Sequence, residues 1–194
     1  MEPRIYLAAE RGVDEGALGA IAASLAATFG AQVRRLPPAP APDDAYDPQR
    51  GQYRSSDLLR RIAASLPEDA FAVLAVTERD LFIPVLRFVF GQARLGGGAA
   101  VISLARLRPE FHHLPPDPRL LEERAVKEAQ HEIGHALGRA HCPDPECVMS
   151  LSIQIAQVDR KSAAFCRDCR ALVDETLGNA AACRSARPAL EERS

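Results

Sequence analysis

The chain has 194 residues, 47% of them hydrophobic, and a net charge of −2, so it is long enough to bury one sizeable core. It lacks the basic excess that holds nucleic acid and the acidic tail of a chaperone-like partner. The opening MEPRIYLAAERG carries charges where a signal peptide needs an apolar run, and no window reaches membrane-spanning length, which predicts a cytoplasmic protein without a membrane partner.

Ile5-Tyr6-Leu7-Ala8-Ala9 reads as a short buried strand. Leu18, Ile21, Ala22, Leu25 and Phe29 recur at helical spacing over 14–29, with Asp14 placed to cap the helix and Gly30 to stop it. Ala31–Leu36 follows as a second strand, and this β-α-β opening predicts a parallel pair with a right-handed crossover. Pro37, Pro38, Pro40, Pro42 and Pro48 then mark an extended loop inside the domain. Gln52 and Tyr53 are expected to begin a helical segment around 55–66, with Leu58, Leu59, Ile62 and Leu66 on one face.

Phe71–Thr77 is a continuous apolar run, the pattern of a parallel strand buried on both faces. Glu78, Arg79 and Asp80 at its end read as a solvated loop. Phe88–Arg94 and Ala99–Leu104 read as two strands joined by a hairpin at Gly96-Gly97-Gly98. Those glycines are not a phosphate loop, because no Lys-Ser/Thr pair and no helix follow directly. His112 and His113 lie in a proline-rich stretch and read as surface residues. Pro118 opens a long helix over 118–137, in which Leu121, Ala125, Val126 and Ala129 lead into His131. Residues 150–156 read as an irregular or short extended link. A last helix is expected over about 160–178, capped by Asp159 or Ser162, with Phe165, Cys169, Leu172, Val173 and Leu177 inward. Gly178-Asn179 is expected to end it, leaving 179–194 as a flexible polar tail with Cys183 as a free thiol.

The chemistry is concentrated in His131-Glu-Ile-Gly-His135-Ala-Leu-Gly138-Arg-Ala-His141. His131 and His135 are four apart, so a helix places both on one face, where both imidazoles can reach one Zn²⁺. Glu132 lies beside the first ligand, where its carboxylate can contact a water on the metal without binding the metal. Gly138 can take positive φ and end the helix, so that His141 approaches from a third direction. Three protein ligands leave a fourth position open, the mark of a catalytic rather than a structural zinc. Three imidazoles also accept cobalt, nickel or iron.

Cys142-x4-Cys147 and Cys166-x2-Cys169 form a second constellation, with spacings suited to a tetrahedral Cys₄ zinc. A redox or free-thiol role is the alternative, since disulfides are disfavoured in a reducing cytosol. Met149 is suited to flooring the histidine site by packing, because a thioether is a poor zinc ligand.

HEIGHALGRAHC at 131–142, Cys147-Val148-Met149 and Cys166-Arg-Asp-Cys169 together resemble the archaemetzincins, a family of metzincin zinc metalloproteases. The order of third histidine, adjacent cysteine, second cysteine, methionine and later C-x-x-C carries the resemblance. The stretch 77–108 also looks like the family's edge-strand region. Sixteen residues separate Met149 from Cys166, about one fewer than the family spacing, a difference that a loop absorbs. The resemblance implies a catalytic zinc on His131, His135 and His141, with Glu132 as base. It also implies a second, structural zinc on Cys142, Cys147, Cys166 and Cys169. In metzincins the edge strand runs antiparallel and pairs with substrate backbone, so 88–94 is expected to serve that role. Some metzincins place a tyrosine two residues after the methionine; here that position is Leu151, and no tyrosine occurs in the C-terminal half.

These readings converge on an α/β (mixed α+β) metzincin-like fold. It has a mostly parallel sheet with an antiparallel edge strand, a long active-site helix and a small C-terminal lobe carrying the Cys₄ site. Residues 1–178 form the catalytic domain, with 1–138 as the N-terminal lobe and 139–178 as the C-terminal lobe. The expected activity is hydrolysis of peptide bonds through a zinc-bound water activated by Glu132. The substrate is an extended peptide or protein, two zinc ions are bound per chain, and the chain is monomeric. The competing reading is a zinc-binding peptide-recognition module with little turnover, against which the intact Glu132 argues. A Cys₄ nucleic-acid module lacks its basic patch.

Overall fold

The computed structural model describes residues 2–38 and 43–185. β1 (Arg4–Ala9), α1 (Glu15–Phe29) and β2 (Gln32–Arg35) form the opening unit, and β1 and β2 pair in parallel. Asp14 accepts a hydrogen bond from the Ala17 N–H, and Gly30 closes α1 in the left-handed conformation at φ 56°. Both ends of this helix therefore follow the sequence signals.

Pro40 and Pro42 lie outside the described residues. Beyond them a 3-10 turn at Asp43–Ala45 leads into β3 (Tyr46–Asp47) and β4 (Gln52–Arg54). The helical expectation for Gln52 and Tyr53 is overturned here. The Tyr53 N–H donates to the Asp80 carbonyl at 2.8 Å, and Gln52 Nε2 reaches the Asp80 carboxylate and the Arg87 carbonyl. Partners distant in sequence thus hold both residues extended, and α2 (Ser55–Ala64) begins only after them. β4 also pairs in parallel with β6 (Leu81–Phe82), completing a small three-stranded sheet.

The main sheet adds β5 (Ala72–Thr77), β7 (Gly91–Ala93) and β8 (Ala99–Ser103), in the order β2-β1-β5-β8-β7. Four strands are parallel, and the edge strand β7 runs antiparallel to β8, as expected. Gly96 and Gly98 take φ of 65° and 67° in the hairpin between them. One face of the sheet, with Leu7, Leu74, Val76, Ala100 and Ile102, packs against α1 and against α3 (Pro118–Ala136). Val101 and Ala75 on the other face meet Leu58 of α2. The result is three layers, with α3 lying over β5, β8 and the edge strand β7.

Two loop expectations are corrected by ion pairs. Glu78 and Asp80 are partly buried, each in a two-pronged pair, with Arg108 and Arg106 respectively, rather than solvated. Residues 150–156 are not wholly irregular, because α4 (Ile155–Arg160) begins within them behind a capping box from Gln154 and Gln157. Arg124 of α3, 2% exposed in its side chain, grips Asp159 of α4 through Nε and Nη2 and donates from Nη1 to the Leu107 carbonyl.

The last helix starts later and ends later than expected. α5 spans Arg167–Ser185, and Asp159 lies within α4 instead of capping it. Cys166 occupies the residue before α5 and takes the first helical hydrogen bond, from the Arg170 N–H. Gly178 does not adopt positive φ, and one glycine costs a helix only about 1 kcal/mol, so α5 continues through it. Leu172 is exposed, while Val173 is fully buried. Residues 186–194, and the side chain of Cys183, lie outside the described part.

Candidate metal centre

α3 carries the first half of the site. Its interior is buried along Leu121, Ala125, Ala129 and Ile133, which fixes the direction of the intervening face. His131 and His135 emerge one turn apart, with ring centroids at 4.6 Å. The helix then ends where the sequence predicts. Gly138 takes φ 91°, and the Arg139 N–H closes back on the Gly134 carbonyl at 2.9 Å. That reversal has two effects. It brings the Arg139 carbonyl to His135 Nδ1 at 2.5 Å, and it swings His141 over the first two rings, with centroids 5.3 Å from His131 and 4.7 Å from His135.

His131 is held from below. Its Nδ1 lies 2.7 Å from the carbonyl of Val148, the residue before Met149. A ring nitrogen facing a carbonyl must carry the proton, so the Nε2 atoms of His131 and His135 are left as lone pairs. Those two Nε2 atoms stand 3.1 Å apart. Neither can donate, so their proximity is repulsive unless a cation lies between them. Tetrahedral zinc with nitrogen ligands at ~2.0–2.1 Å separates two of them by about 3.3 Å. His131, His135 and His141 each offer a ligand atom, all within 4.8 Å of one another, and this donor set fits zinc. Burial pushes all three imidazoles below the usual histidine range, which keeps them neutral and able to ligate.

Glu132 is 5% exposed, and its Oε2 has no hydrogen-bond partner. Burial first, and the Glu128 carboxylate second, push its carboxyl well above the ordinary range, while Lys161 opposes them. Glu128 and Lys161 are charged neighbours of Glu132 that the sequence reading missed. Lys161 follows α4 with its side chain fully buried, and its Nζ lies 2.8 Å from Glu128 Oε1. Both atoms fall outside hydrogen-bonding geometry, so the attraction is that of a close ion pair. The i, i+4 spacing of Glu128 and Glu132 was a usable signal; nothing in the sequence pointed to Lys161.

Met149 is fully buried, and a side chain on Gly134 would collide with its sulfur, so the methionine packs directly under the helical turn that carries both histidines. The site opens into a cleft of about 480 Å³. Phe88, Phe90, Gly91, Gln92 and Leu95 from the edge-strand region line it, together with Leu151, Ser152 and Ile153. His112 and His113 take no part: His112 Nε2 contacts the Arg106 carbonyl at 2.8 Å, and His113 is an exposed residue at φ 59°.

The four cysteines also converge. Cys142, Cys147, Cys166 and Cys169 place their sulfurs within 4.8 Å of one another as free thiols. Cys142 and Cys166 Sγ lie 3.8 Å apart, close to the ~3.75 Å edge of a tetrahedron with Zn–S near 2.3 Å. The Cys166 thiol is lowered, chiefly by the Cys169 backbone N–H, whereas burial raises Cys147 and Cys169. Backbone bonds join the two centres: Cys142 N–H donates to the Met149 carbonyl, and Val148 N–H to the Ala164 carbonyl, each at 2.9 Å.

The sequence profile of peptidase family M54 matches residues 34–175. The archaemetzincin of Pyrococcus furiosus is 47% identical over 135 residues, which is 69% of this chain and 70% of that protein. That of Methanocaldococcus jannaschii is 50% identical over 134 residues, 69% of this chain and 73% of its own length. The crystal structure of archaemetzincin from Methanopyrus kandleri superposes with a TM-score of 0.79 at 39% identity, covering 91% of this chain and 96% of that one.

Proposed function

The chain belongs to peptidase family M54, the archaemetzincins, and is a zinc metallopeptidase; from that premise we propose that His131, His135 and His141 hold the catalytic zinc and that Glu132 is the general base. Zinc, when bound, supplies the Lewis acid that polarises the scissile carbonyl and acidifies water. The chain supplies the rest. The Val148 and Arg139 carbonyls fix the tautomers of His131 and His135, so both present Nε2 to the ion. Glu132 takes a proton from the attacking water at its carboxylate and returns it to the leaving amine nitrogen as the C–N bond breaks. Burial holds the Glu132 carboxyl up, and the charge of an ion on His131, His135 and His141 would lower it, so that Glu132 could act as a base near neutral pH.

The observation that carries this reading is the unpartnered, buried Oε2 of Glu132, set beside three convergent imidazoles at the floor of a cleft. β7 lines the cleft as the free antiparallel edge, and the reading assigns it the backbone of an extended peptide by strand addition. The four thiols are assigned a second, structural zinc. Thiols kept for metal rather than paired as disulfides suit a reducing compartment, and we place the enzyme in the cytoplasm. Among the described residues no helix is long and apolar enough to cross a membrane. Residues 1–178 are assigned to one catalytic unit, with 139–178 as its C-terminal lobe. The test is Glu132→Gln: zinc content unchanged and hydrolysis of a peptide library lowered by about 10²–10⁴-fold. Turnover at the wild-type rate would remove Glu132 from the mechanism.

A further inference from the structure

Gly91 opens β7 and faces the active-site helix. A methyl group built on its Cα would stand 2.6 Å from both Cγ and Oε1 of Glu132, and 2.8 Å from Cδ. Carbon atoms in contact settle at about 3.5–4.0 Å, so any side chain at this position overlaps the Glu132 carboxylate. The backbone does not need a glycine, because Gly91 is absent from the positive-φ residues. Glycine in a strand also weakens it relative to alanine. Room is therefore the reason for it.

The two backbones that carry this pair are fixed, so only the Glu132 side chain could yield. Gly91 is in register with Ile102 of β8, and Ser103 N–H holds the Phe90 carbonyl at 2.8 Å. Glu132 springs from the middle of α3, between His131 and the fully buried Ile133. We infer that Gly91 is a positioning residue for the reaction. Its missing side chain leaves the slot in which the Glu132 carboxylate lies, pressed against the strand that would hold the substrate. The base is thereby registered to the edge strand as well as to the metal ligands. This rests on Glu132 acting as base.

The test is a double-mutant cycle on the purified, zinc-loaded protein, with Gly91→Ala and Glu132→Ala alone and together. The substrate is a fluorogenic peptide chosen because the wild type cleaves it. Gly91→Ala is expected to keep its zinc and lower kcat by about 10²-fold, with KM moving less than about threefold. It is also expected to lower the melting temperature, and to lose that effect when Glu132→Ala is present. Equal melting losses in both backgrounds, or a wild-type kcat for Gly91→Ala beside an inactive Glu132→Ala, overturn the inference. Full hydrolysis by Glu132→Ala overturns the base assignment first. Should Gly91→Ala fail to fold, recovery of folding in the double variant supports the slot, and failure of both overturns it.

Discussion

The Nε2 atoms of His131 and His135 face each other at 3.1 Å, and carbonyls on the far side of each ring take the only protons they could share. An ion held by these rings binds only the folded chain, so removing metal should cost stability as well as activity. A site filled at a thousandfold excess over Kd contributes about 4 kcal/mol. Chelation is expected to abolish peptide hydrolysis and lower the melting temperature, and added zinc to restore both. Metal analysis is expected to find two zinc ions per chain.

Replacing Glu132 separates binding from chemistry. Glu132→Ala is expected to keep its zinc and to lose about 10²–10⁴-fold in kcat, the range for a general base. Zinc content and single-turnover rates on the same preparation check this.

The thiol cluster should support the histidine site from behind. Val148, between Cys147 and Met149, gives its carbonyl to His131 and its N–H to Ala164. Cys147→Ser is expected to remove one zinc and, by loosening Val148, to weaken metal binding at the histidines by about 10–100-fold, the usual cost of losing an orienting partner. Competition with a chromogenic chelator measures it.

Lys161 and Glu128 form a fully buried ion pair linking the end of α4 to α3. Glu128→Gln strands the ammonium and is expected to destabilise the fold by about 3–5 kcal/mol. Glu128→Leu with Lys161→Met is expected to recover most of that loss. Urea midpoints at constant slope compare the three proteins.

The parts of this protein visible in its sequence are those set by local rules. His131, Glu132 and His135 are ordered by the 3.6-residue period, and Gly138 by its freedom at positive φ. Asp14 and Gly30 mark α1 in the same way. What stayed hidden depends on partners far along the chain. β3, β4 and β6 are two or three residues each, too short for a period, and exist because Gln52 and Tyr53 find Asp80. Lys161 looks like a surface residue until α4 folds it beneath Glu128. Cys166 and Cys169 read as neighbours on a helix, yet Cys166 lies just before α5, where the chain bends toward Cys147.

The brevity of β7 has its own effect on the company this protein keeps. Only Gly91, Gln92 and Ala93 lie along that margin before the chain turns away at Gly96–Gly98, and the opposite margin, β2, presents Arg34 and Arg35 to solvent. A sheet so trimmed gives another copy little to zip onto, which protects it from stacking into aggregates. The same trimming means that a visiting chain is gripped over a short span and that the cleft walls must provide the remaining hold.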